Sequence, residues 1–228
     1  MERREEKEKI LMVSPHPDDE TLGCGGTLLK HGANGDILYW LIMTNVFVKE
    51  GFDNDRVAER QSEIDKVAQR YGFRKIFKLD FPTTKLDIIP KNELIKAVCD
   101  VAKEVMPQII YLPHRNDIHS DNRETFDAVA SSSKTFRISS VRRVLSYEVL
   151  SQTEFSFPVQ GDTFVPNSFS DITDYIDEKI SIMRIFKGEM GVHPFPRSER
   201  AIRAVATMRG AQAGFEYAEG FMLLKDKW

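Results

Sequence analysis

Short apolar runs and amphipathic stretches alternate through the first 136 residues. "KILMVS" (9–14), "DILYWLIMT" (36–44), "KIFKL" (75–79) and "QIIYLP" (108–113) are compact apolar runs, the pattern of strands buried on both faces. Between them, "TLLKHGAN" (27–34) predicts a helix ending near Gly35. "DRVAERQSEIDKVAQRYGF" (55–73) carries Val57, Ile64, Val67 and Ala68 near helical spacing, with Gly72 as a stop. "KNELIKAVCDVAKEVMP" (91–107) predicts an amphipathic helix closed by Pro107, and "DNRETFDAVASSSKTF" (121–136) a further one. Strands alternating with helices of this length imply βαβ units. The expected fold is α/β, a Rossmann-like three-layer sandwich with a mostly parallel sheet.

The second half is less regular. "RRVLSYEV" (142–149) and "GFMLLK" (220–225) predict strands, and "TFVPNSFSDI" (163–172) short extended pieces. "TDYIDEKISIMRIFKGEM" (173–190) and "SERAIRAVATMRGAQAG" (198–214) predict helices. With no repeat, low-complexity segment or long linker, the 228 residues are expected to form a single domain over 1–228.

Composition adds mostly exclusions. At 41% hydrophobic and 29% charged the chain is ordinary for a globular protein, long enough for a full core without staples. The net charge of −3 implies no basic face, so no nucleic-acid partner is expected. No apolar run approaches the roughly 18 residues that span a bilayer, so no stable membrane insertion is expected. The charged N-terminus "MERREEKEKI" has no apolar core of a secretory signal. Cys24 and Cys99 make no disulfide framework and read as buried thiols in a reducing compartment, so a cytoplasmic protein is expected.

The chemistry concentrates after the first and fourth strands. "VSPHPDDETLGCGG" (13–26) sets a histidine and three acids between an apolar run and a glycine cluster; "PHRNDIHSDN" (113–122) follows the fourth strand. In open α/β sheets ligands bind beyond the carboxyl ends of strands, so both clusters emerge on the binding edge. His16 and Asp19 are ordinary ligand types for zinc and other divalent ions. Asp18, between them, can serve as general base toward a water activated by the metal. His119 can stabilise an oxyanion or protonate a leaving group, and Asp121 can fix its tautomer. His114, Asp117 and Asn122 complete the second cluster. Together they suit metal-assisted hydrolysis of an amide or ester. The plain alternative is helix capping by Asp and Asn after a strand. "LGCGG" lacks the spacing of a phosphate fingerprint, which argues against a nucleotide-binding domain.

"PHPDDETLGCGGTL" with the later "NDIHSDN" resembles the LmbE-like, or PIG-L, family of metal-dependent N-acetylglucosaminyl deacetylases. The resemblance continues through "TNVFVKEGFDNDRVAERQSE", "LDFPTTKLD", "LSYEVLSQTEF", "HPFPRS" and "RGAQAGFEYAEGF", most of the chain. It implies removal of an acetyl group from an N-acetylated amino sugar or glycoconjugate precursor, with Zn2+ or another divalent metal as cofactor. It implies His16 and Asp19 as metal ligands and Asp18 as base. His119 would meet the oxyanion or the leaving amine, oriented by Asp121. Arg60 would lie near the sugar, the alternative being an exposed helix arginine beside Glu63. His193 would close the pocket or meet a neighbouring subunit of a homo-oligomer, the alternative being a loop histidine.

One position departs from the family pattern. Its last histidine, the third metal ligand, is Asn122 here. Three readings follow. Asn122 coordinates through its oxygen, a donor suited to harder ions; His114 swings in as substitute; or the ligand is lost. The last would leave a non-catalytic sugar-binding or inactive member of the same fold.

Overall fold

The computed structural model describes residues 7–157 and 163–228. The charged stretch 1–6, which bears on the absence of a secretory signal, lies outside them. In chain order the elements are β1 (Lys9–Ser14), α1 (Asp19–Ala33), β2 (Ile37–Asn45), α2 (Asn54–Tyr71), β3 (Lys75–Pro82), α3 (Lys91–Val105) and β4 (Ile109–Pro113). Then follow α4 (Ser120–Ser132), β5 (Arg143–Tyr147), β6 (Ser168–Asp171), α5 (Ile176–Met183), α6 (Glu199–Ala213) and β7 (Ala218–Asp226).

The sheet has the order β3-β2-β1-β4-β5-β7-β6. The first five strands run parallel; β7 is antiparallel to β5, and β6 to β7. This is the expected three-layer α/β fold, mostly parallel, with its irregularity in the C-terminal half. Strand β1 shows why its residues form a central strand. Ile10 and Met12 face a core shared with α1, α2, α5 and α6, while Leu11 and Val13 face a core shared with α3 and α4. Each such fully buried aliphatic side chain stabilises the fold by about 1.5–3 kcal/mol relative to exposure. From β1 the chain proceeds to β2 on one side, and β4 returns on the other. The strand order therefore reverses between β1 and β4, and the loops after these strands lie side by side.

Two expectations need correction. The helix expected over 27–34 starts at Asp19, so the glycine cluster is helical rather than loop. The reason is close packing. A Cβ at Gly23 would stand 2.3 Å from the Tyr147 ring, and one at Gly26 2.5 Å from Ile172. The helix expected over 173–190 is a 3-10 turn at Thr173–Tyr175 and then α5, which stops at Met183. The Lys187 amide donates to Glu63 Oε1 (2.8 Å), and Gly188 takes a left-handed φ of 80°, which turns the chain back toward α2. Among the described residues no helix is long and apolar enough to cross a membrane.

Candidate active site

The loop from β1 to α1 is pinned from β2. Thr44 donates to the Pro15 carbonyl from its amide (3.1 Å) and its hydroxyl (2.8 Å), and Trp40 Nε1 donates to Ser14 Oγ (2.6 Å). The loop ends on Asp18, at φ 137°, a conformation that costs a non-glycine residue about 1–3 kcal/mol. The Asp18 amide donates to Glu20 Oε2 (2.9 Å), and its carbonyl accepts from the amides of Thr21 and Leu22, opening α1. The loop thus delivers His16, Asp18 and Asp19 to one wall of a cavity of about 410 Å³, which His119 also lines.

His16 sits between two carboxylates. Its Nε2 is 2.9 Å from Asp121 Oδ2 and its Nδ1 3.4 Å from Asp19 Oδ2. Burial lowers the affinity of the imidazole for a proton, but the hydrogen bonds and charges of Asp121 and Asp19 outweigh it and lift its pKa to about 10. The pair of acids thus calls for a cation here. Asp121 is fully buried and accepts from the amides of Thr84 (2.7 Å) and Leu86 (3.0 Å) as well as from His16. Burial pushes its carboxyl up, but these bonds hold it below the usual range.

The arrangement corrects the expected role of Asp121. Its carboxylate meets His16, not His119. It touches His119 through its backbone amide, which donates to His119 Nδ1 (3.1 Å) at the start of α4. An acceptor at Nδ1 fixes the neutral imidazole with its proton on Nε2. Burial, and His16 beside it, lower the pKa of His119, which favours that neutral form. The two rings are 4.5 Å apart, edge to face.

Asp18 is 5% exposed. Its carboxyl is pushed well above the usual range, first by burial and then by the charges of Asp19 and Glu189, with Arg197 and Arg60 opposing. Asn122, also sealed from solvent, donates from Nδ2 to Asp117 Oδ2 (2.9 Å), and Thr153 donates to the other Asp117 oxygen (2.6 Å). The Asn122 Oδ1 has no partner. A buried carbonyl oxygen without a donor is costly, and a cation is one thing that satisfies it.

Among the described residues, His16, His119 and Asp121 bring one potential ligand atom each within 4.8 Å of one another. That group overlaps the expected set of His16, Asp19 and Asn122 only at His16. Both oxygens of Asp121 and the Nδ1 of His119 already have protein partners, whereas the Asn122 oxygen has none.

The other expected residues divide. Arg60 is not an exposed helix arginine: it is buried on the cavity wall and donates to the Pro17 carbonyl (2.8 Å) and to Glu189 Oε1 (2.5 Å). His193 is exposed and does not reach the cavity within this chain. His114 packs edge-on against Phe164 (centroids 5.3 Å apart) on a separate cavity of about 320 Å³, which does not support a swing to the metal group. Sequence reasoning missed Arg56, Glu189 and Arg197, all on the cavity wall. Arg197 Nη1 donates to Asp18 Oδ2 and to Glu189 Oε2, both at 2.9 Å. It lies in "HPFPRS", four residues after the histidine that drew notice.

Known proteins share this fold. The family model PIG-L, described as GlcNAc-PI de-N-acetylase, matches residues 11–132. The diacetylchitobiose deacetylase of Thermococcus kodakarensis is 27% identical over 224 residues, 93% of this chain and 81% of that protein. The N,N'-diacetylchitobiose deacetylase of Pyrococcus horikoshii superposes with a TM-score of 0.75 at 24% identity, over 96% of this chain and 84% of that one. A 4-carboxy-2-hydroxymuconate hydratase, GalB of Pseudomonas putida, also reaches 0.75, at 17% identity over 97% of this chain and 98% of that one. Fold likeness alone therefore does not choose a reaction.

Proposed function

Because this chain belongs to the PIG-L family, we propose that it is a metal-dependent hydrolase removing the acetyl group from an N-acetylated amino sugar or a glycoconjugate precursor. The observation that carries the reading is the meeting of Asp18 and His119 on one cavity with His16 and Asp19. The deacetylase names of the relatives support it.

The donor set fits a divalent cation. His16, Asp19 and Asn122 would hold it, through one nitrogen and two oxygens, and Zn2+ is the ion we favour. Asp121 would then act behind the metal site, fixing the His16 ring by its 2.9 Å bond, an outer-shell role that raises ligand basicity. A bound divalent ion supplies Lewis-acid polarisation of the acetyl carbonyl and lowers the pKa of water.

The chain's own groups perform the rest. Asp18 takes the proton of the attacking water; burial has already raised its basicity toward that task. His119, neutral with its proton on Nε2, donates to the oxygen that gains charge as the carbonyl carbon becomes tetrahedral. When the carbon–nitrogen bond breaks, the proton on Asp18 passes to the leaving amine, and acetate and free amine result. Arg60 braces the loop through the Pro17 carbonyl. We take the chain as one domain over 1–228, and place it in the cytoplasm on its two buried, unpaired cysteines. The reading as a non-catalytic sugar-binding member is not favoured.

The test is elemental analysis of protein purified without chelator, followed by assay of acetate release from N-acetylglucosamine glycosides. About one divalent ion per chain and release of acetate, both abolished by chelation, are expected. A protein that stays metal-free after dialysis against zinc, and releases no acetate, overturns the reading.

A further inference from the structure

The catalytic cavity carries three arginines, Arg56, Arg60 and Arg197. Such a cluster is the usual recognition element for a carboxylate or phosphate. Here it already holds one. The Glu189 carboxylate accepts from Arg60 Nη2 (2.5 Å) and Arg56 Nη2 (3.4 Å) on Oε1, and from Arg197 Nη1 (2.9 Å) on Oε2. The remaining guanidinium contacts go to other groups of the protein, Arg56 to Glu59 and Glu63, Arg60 to Glu63 and the Pro17 carbonyl, Arg197 to Asp18, while the Arg197 Nε is buried without a partner. Of the acids on the cavity wall, Glu189 is the one that all three arginines contact.

We propose that Glu189 is a specificity-determining residue: it occupies the anion site of the three arginines and so restricts the cavity to uncharged N-acetylated glycosides. An incoming carboxylate or phosphate would lie beside the Glu189 carboxylate, on guanidinium groups that already face it, a repulsive contact that selects against anionic conjugates. Glu189 is built to stay. It follows the left-handed turn at Gly188, and the same turn is tied to α2 by the Lys187 amide on Glu63. The inference rests on the deacetylase reading for the identity of the site, but its charge logic is independent of turnover.

The test is calorimetric binding, on metal-loaded wild type and Glu189→Gln, of methyl N-acetylglucosaminide and of its phosphate monoester. Wild type should favour the neutral glycoside by about tenfold or more, and Glu189→Gln should erase or invert that preference. Glu178→Gln removes an exposed acid that pairs with Arg70 away from the cavity, and should leave the preference in place. Equal or tighter binding of the phosphate by wild type overturns the proposal, as does a ratio that Glu189→Gln leaves unchanged. If Glu189→Gln does not fold, the wild-type ratio decides alone. Failure of acetate release with the binding preference intact would count against the hydrolase reading and not against this one.

Discussion

Helix α1 carries two buried charged clusters less than two turns apart, and they differ in completeness. In the middle of the helix, Lys179 Nζ donates to Glu219 Oε1 (2.7 Å) and to the Leu22 carbonyl (2.8 Å). Glu219 also accepts from the amides of Gly26 (2.9 Å) and Thr27 (2.8 Å). Charge is matched, and both carboxylate oxygens and the ammonium have partners. At the helix start, Asp18, Asp19 and Glu20 crowd one turn and the carboxyls of Asp18 and Glu20 are pushed up by burial, while Asn122, whose amide holds Asp117, has an oxygen with no donor. Burial of charge therefore does not mark the site by itself. The unfinished cluster does, because a ligand or a proton must complete it.

The sharpest way to break this contrast is Asp18→Asn. It should retain metal, keep or raise the melting temperature because a buried carboxylate is gone, and lose about a thousandfold in kcat. Metal content, melting and acetate release on one preparation check it; normal turnover would remove Asp18 from the mechanism. Next in size is Lys179→Met. Stripping Glu219 of its buried partner should cost about 3–5 kcal/mol of stability. Denaturant unfolding measures that loss, while kcat per folded molecule should stay near wild type, since the pair lies behind the helix and not on the cavity.

The same contrast explains what was legible in the sequence. The strands and the two motif loops were readable because β1 and β4 are local apolar runs and the switch point follows from parallel connectivity. His16, Asp18, Asp19 and His119 converge as their motifs predict. The start of α1 was not readable, because Gly23 and Gly26 are helical only in the presence of Tyr147 and Ile172, far along the chain. The partner of Asp121 was missed for a different reason. Both histidines are sequence-plausible, and only the folded structure sends the carboxylate to His16. Arg197 and Glu189 come from turns after α5, where no periodicity signals direction.

A smaller effect tests whether the first turn of α1 is under electrostatic stress. Burial lifts the Glu20 carboxyl from 4.5 to about 7, with the Asp19 charge adding to it. Folding therefore favours the protonated acid. Its contribution to stability is complete below pH 4.5 and is lost as pH rises toward about 7, with no further change above. In protein kept metal-free with chelator, Glu20→Gln should match wild type near the acid end of that window. It should exceed wild type at the alkaline end by no more than about 3 kcal/mol. Parallel urea melts across the window measure the gap; a constant difference at every pH would place the stress elsewhere.

The smallest effect concerns the orphan oxygen itself. Asp117 holds the Asn122 amide by Nδ2, which leaves Oδ1 as the end available to a cation. Replacing that neutral oxygen donor with imidazole should favour zinc over harder ions, because imidazole suits zinc and carbonyl oxygen suits magnesium and manganese. Asn122→His should thus raise zinc affinity about tenfold relative to manganese affinity, with Asp117 still able to accept from the new ring nitrogen. Competition between the two ions, read by the paramagnetic resonance of free manganese, measures the ratio without any assay of turnover. An unchanged ratio would mean that position 122 does not touch the metal. The donor set would then have to be drawn from His16, Asp19 and the close group of His119 and Asp121, at the cost of the bonds that now hold the last two.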